Sequence, residues 1–171
     1  MGDRAIDLRR HTGPMTMEQF LDVLHGFDGV LDLAPIEAPF PEIAWGDHFF
    51  YYAPDGEVPQ REQPYATIVT KDYPDDTACD LDPPGRWRLN IHVGRDRLTQ
   101  MMGAEPRSAE PPDDPSVADV FIPHPVYSAQ GWVAVVNPGE ATTDEAISLL
   151  QRAHESARRR VDRREVSRDA T

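Results

Sequence analysis

One cysteine, one lysine and no long apolar run are the scarcities of this 171-residue chain. A single thiol, Cys79, excludes an internal disulfide. Its acidic neighbours disfavour the thiolate, so Cys79 reads as structural and not as a nucleophile. Lys71 is the sole lysine among 17 basic residues, and with abundant proline and alanine this marks a GC-rich genome more than a function. No stretch approaches the ~20 apolar residues of a membrane-spanning helix. The opening "MGDRAIDLRRHTGPM" has no apolar run of a secretory signal, so a cytoplasmic location is expected.

Chemical signatures are scarce too. There is no P-loop, no G-x-G-x-x-G and no G-x-S-x-G elbow, and Ser128 near His124 is too local a pair to stand for one. Neither H-x-H nor H-E-x-x-H occurs, so His92, His124 and Asp47 do not read as a zinc or iron site. "DYPDDTACDLDPPG" lacks the alternating acids, turn glycine and closing glutamate of a calcium loop and reads as a solvated acidic loop. No cofactor and no metal are expected. The net charge of −13 opposes unspecific binding to nucleic acid or an anionic membrane. From Arg152 to Thr171, however, seven arginines face four acids, which reads as a solvated helix end, with phosphate contact as the alternative.

What is present is mostly pattern. "TMEQFLDVLHGF" opens with Thr16 and Gln19 at capping-box spacing and places Phe20, Leu21, Leu24 and Phe27 on one helical face. "VLDLAPIEA" reads as a short strand, and "HFFYYAPDGEVPQREQPYATIVTK" as strand, loop, strand. "RWRLNIHV" is the cleanest strand: Trp87, Leu89, Ile91 and Val93 alternate with Arg86, Arg88, Asn90 and His92. A short helix "RDRLTQMM" stopped by Gly103, the strands "ADVFIP" and "GWVAVV", and a final helix follow. Thr142 and Glu145 have capping-box spacing, and Ile147, Leu150, Ala153 and Ala157 form that helix's apolar stripe. Residues 1–14 read as a disordered leader, with Met15 and Met17 as alternative starts that an intact mass would decide. Residues 15–160 read as one α+β domain with a flexible loop at 104–117, and 161–171 as a polar tail. The expected fold is an antiparallel sheet with helices packed on one face.

Several polar residues are candidates for a site. Arg88, Asn90 and His92 share one strand face, where Arg88 would clamp an anion and His92 move a proton, unless the face is simply solvated. "PHPVYSAQGW" braces His124 between two prolines and aims it with Tyr127, as a catalytic imidazole or as a structural corner. Asp47, after Gly46, would orient either histidine or cap a turn. Trp45, Tyr127 and Trp132 belong to a dense aromatic set, part core and part lining for a flat ligand or a partner.

Two resemblances bear on these residues. "GFDGV", "WGDHFF" and "RLNIHV" resemble stretches of YjbR/MmcQ-like proteins, which implies the order α-β(3)-α-β(2)-α and, from that family, a proposed role in DNA binding. Here "PHPVYSAQGW" puts His124 before Tyr127 and lacks that family's lysine. A closer resemblance, carried by "WGDHFFYY", "ATIVTKDYPDD", "PGRWRLNIHVG" and "PHPVYSAQGWVAVVNP" and covering about residues 16–160, is to the actinobacterial domain-of-unknown-function 6194 family, which implies no activity.

Three readings stand. One is a non-catalytic binding module for a small molecule or a protein partner. Another is a small enzyme with His124 or His92 as general acid or base and Arg88 as anion clamp. The last is DNA binding of the YjbR type through the arginine-rich end, against which the acidity of the chain weighs. The observation that separates them is whether one pocket joins Arg88, His92, His124 and Asp47.

Overall fold

The computed structural model describes residues 15–170; the leader expected at 1–14 lies outside the described residues. Thr16 caps the first helix, α1 (Met17–His25), through the expected capping box: its hydroxyl accepts the Gln19 N–H while the Gln19 side chain accepts the Thr16 N–H. Four strands follow: β1 (Val30–Leu33), β2 (His48–Tyr52), β3 (Ala66–Val69) and β4 (Arg88–His92). Then come α2 (Arg95–Met102), β5 (Phe121–Pro123), β6 (Trp132–Val136) and α3 (Thr143–Asp169). The order is that of the expected α+β fold; "VLDL", read as a strand, makes the first run one strand longer than in the order α-β(3)-α-β(2)-α.

All six strands form one antiparallel sheet in the order β1-β2-β3-β4-β6-β5. Alternation assigns its faces. Ile68, Leu89, Ile91, Val133 and Val135 point to the side where Phe20 and Leu24 of α1, Leu98 of α2 and Leu150 of α3 close the main core. Ile147, Leu150, Ala153 and Ala157, the predicted stripe, are all buried there. Val69, Ala134 and Val136 point to the opposite side, into a smaller cluster with Cys79, Leu81 and Ile122. Among the described residues, loops and a short 3-10 turn at Glu42–Ala44, not α-helices, cover that second face.

Local chemistry departs from expectation at three places. Thr142 does not form the predicted capping box with Glu145; its hydroxyl donates to Asp119. That carboxylate also accepts the N–H groups of Gly139, Ala141 and Thr142, so a residue from before β5 holds the start of α3, and Glu145 pairs with Arg97 instead. Burial opposes ionisation of Asp119, but these donors outweigh it and lower its pKa.

The acidic loop is not simply solvated: Asp72 accepts the Leu81 N–H, Asp82 accepts the Asp72 N–H, and Cys79 and Leu81 are buried. Residues 161–169, read as a polar tail, are helical and continue α3, where Arg158 and Arg159 pair with acids one turn away and Arg160 and Arg164 both reach Glu62. Among the described residues no helix is long and apolar enough to cross a membrane.

Candidate functional site

Register creates a cavity on the loop-covered face. Leu33, Phe49, Thr67, Asn90, Ala134 and Ile122 are successive cross-strand neighbours in one row over all six strands. The next row brings Val69, Arg88 and Val136 together. Small side chains at Thr67 and Ala134 leave space above the sheet, and loops wall it in. The result is a cavity of about 390 Å³ with Thr67, Val69, Arg88, Asn90 and Trp132 as floor. Ile43, Phe49, Val126 and Tyr127 form apolar walls, and Tyr73, Asp75 and Asp76 edge it from the acidic loop.

Arg88 is 2% exposed and its five N–H bonds are directed. Nε donates to Asn90 Oδ1 (2.8 Å), and Nη1 to Asp76 Oδ1 (3.0 Å) and Cys79 Sγ (3.4 Å). Nη2 donates to Asp76 Oδ2 (2.5 Å) and lies 3.3 Å from His124 Nε2. The guanidinium therefore makes its bidentate pair with Asp76 and is not open as the anion clamp expected of it. Asn90 passes the network on by donating to Thr67 Oγ1 at 2.9 Å. Burial disfavours both charges, but each partner outweighs it for the other: Asp76 is lowered and Arg88 raised from their ordinary pKa values. The expectation of a solvated strand face fails here, because the loop carrying Asp76 folds over it.

His124 sits where β5 runs into the corner. Its Nδ1 accepts the N–H groups of Val126 (3.0 Å) and Tyr127 (3.1 Å), the pattern by which a side chain caps its own turn. Its ring lies 5.0 Å from that of Tyr127. Burial, then the charge of Arg88, with Asp76 opposing, pull the His124 pKa down to about 3, so the ring is neutral. The corner closes through Gly131 (φ +89), whose carbonyl accepts the N–H groups of Val93 and Gly94. A Cβ at Gly131 would meet Gly94 backbone at 2.6 Å, so only glycine fits.

The structure thus brings together Arg88, Asn90, His124, Tyr127 and Trp132 around the cavity and leaves three other candidates outside its lining, although the His92 ring packs 5.5 Å from that of Trp132. His92 does not line this cavity; its Nε2 is 2.9 Å from the Gln130 carbonyl, and burial lowers its pKa. Asp47, fully buried, accepts from Thr70 N, Thr70 Oγ1, Lys71 Nζ and, in a short bond, Tyr73 O–H. It orients neither histidine; it fastens β2 to the chain leaving β3. Trp45 donates to the Phe40 carbonyl, and its neighbour Ala44 lines the cavity instead.

Sequence reasoning missed Thr67 and Asp76, and it named Phe49 only as one of the dense aromatic set without singling it out. The strand pleat in "ATIV" and "HFFYY" places Thr67 and Phe49 on this face, whereas nothing local marks Asp76 among its acidic neighbours. No group of three or more His, Cys, Asp or Glu among the described residues could hold a metal ion.

A family model, described as a family of unknown function (DUF6194), matches residues 15–166. No curated protein and no solved structure matches. The chain belongs to the DUF6194 family, and the match spans every strand and helix up to the last turn of α3.

Proposed function

We propose that this DUF6194 protein is a binding module whose cavity over β3, β4 and β6 takes a small molecule. The observation that supports this is the cavity itself: about 390 Å³, apolar and aromatic walls, and a floor of buried polar groups held by one another. That size and that division of labour are typical of small-molecule sites, where apolar walls give affinity and a few fixed polar groups give orientation. A catalytic reading fits less well. A neutral histidine with its pKa near 3 is a poor general base at neutral pH, and its Nδ1 takes backbone N–H groups where a base would be oriented by a carboxylate.

The test is a ligand-observed NMR screen of flat, mostly apolar fragments against the native protein and against V126W. Val126 lines the cavity yet is 38% exposed, so the added indole obstructs the mouth without disturbing the core. Hits that lose at least about tenfold in affinity, ~1.4 kcal/mol, in V126W support the reading. Hits that bind both proteins equally, or an absence of hits, overturn it.

A further inference from the structure

The hydrogen-bond arithmetic at His124 specifies one atom of the ligand. A neutral imidazole offers one bare nitrogen and one N–H. Nδ1 is the bare one, because the N–H groups of Val126 and Tyr127 both point at it. The ring proton is therefore on Nε2. Yet Nε2 faces Arg88 Nη2 at 3.3 Å, and a guanidinium nitrogen is only ever a donor. The other four N–H bonds of Arg88 go to Asn90, to Asp76 twice and to Cys79. The fifth thus lies beside a second donor. Arg88 is 2% and His124 4% exposed, and both line the cavity. Two adjacent buried donors are satisfied together by an acceptor oxygen, which has two lone pairs.

The charge of that oxygen follows from the lining. One cation, Arg88, is set against two carboxylates, Asp75 and Asp76, and Arg88 is already paired with the second. A further anion would enter a net negative cavity at a cost in desolvation. The aromatic lining, Phe49 and Tyr127 in the walls and Trp132 in the floor, suits a flat body. Resting on the binding role proposed above, we infer that the ligand is a flat, neutral carbonyl compound, a ketone or amide, whose oxygen accepts from both Arg88 Nη2–H and His124 Nε2–H.

Two measurements test this. Long-range ¹H–¹⁵N correlation, with the His124 signals assigned by their loss in H124N, reports the tautomer of the ring in the free protein. The Nε2–H form is expected, and the Nδ1–H form overturns the inference without any ligand. Titration by NMR with 1-tetralone, tetralin and 1-naphthoate then varies the oxygen on one bicyclic body. Tetralone is expected to bind at least about tenfold tighter than the other two, the equivalent of ~1.4 kcal/mol. In H124N, where the amide oxygen still serves the Val126 and Tyr127 N–H groups, that preference should fall to about threefold or less. Equal binding of tetralone and tetralin, or preference for naphthoate, overturns the carbonyl assignment and leaves the cavity a binding site. Failure of all three to bind counts against the binding role itself.

Discussion

Among the described residues each face of the sheet buries one histidine, and the two are treated differently. On the helix-covered face, His154 of α3 has one partner per nitrogen: Nδ1 meets the Tyr65 hydroxyl at 2.9 Å and Nε2 meets the Asp28 carbonyl at 2.8 Å. The carbonyl takes the ring N–H and the hydroxyl supplies a proton to the bare nitrogen, so donors and acceptors match. Beneath the loops, His124 is offered three N–H groups for its single bare nitrogen. Burial lowers the pKa of both. Burial therefore does not separate a core histidine from one at a site; the balance of donors and acceptors does. A satisfied ring closes a core, and an over-supplied one turns outward to a partner.

Breaking the loop-covered face should have the largest effect. D76A leaves the Arg88 guanidinium buried without its carboxylate and should cost about 3 to 5 kcal/mol by urea unfolding. A cost below about 1 kcal/mol would mean that the acidic loop does not hold this face together. On the opposite face, H154L strands the Tyr65 hydroxyl and the Asp28 carbonyl and should cost about 2 to 3 kcal/mol. It should leave fragment binding at the cavity unchanged, and a loss of binding would erase the distinction between the faces.

The smallest effect is one of slope. His124 titrates near 6.5 when unfolded and about 3 when folded, so between those values the unfolded chain binds the extra proton and acid destabilises the fold. Below pH 3 both states are protonated and the slope from this residue ends. H124N should flatten the stability curve between about pH 6 and 4 by up to about 1.4 kcal/mol per pH unit, measured against the native protein. An unchanged slope would show that His124 is not buried neutral.

The sequence made one face of this molecule readable and left the other mostly hidden. Alternation in "RWRLNIHV" assigns the core side correctly because burial under amphipathic helices leaves a periodic trace, whereas "GWVAVV" is apolar and buried on both sides and assigns none. The same alternation puts Arg88 and Asn90 together, but it cannot say what covers them. That cover comes from a loop whose carboxylate, Asp76, meets Arg88 across 12 residues of irregular chain. Asp119 escaped notice in the same way: it serves the start of α3 from more than twenty residues upstream, while Thr142 and Glu145 offered a local pattern that the fold does not use. His92 and Asp47 were grouped with His124 by residue type alone. Register sends one to the Gln130 carbonyl and the other under Tyr73.

Cys79 is the chain's only thiol and lies wholly buried against Arg88 in the loop that edges the cavity. Motions that lift this loop from the sheet expose the sulfur along with the polar floor. The opening of the cavity on that side is therefore written into the reactivity of a single atom. A thiol reagent counts those openings one molecule at a time, and an occupant that holds the loop down slows the count.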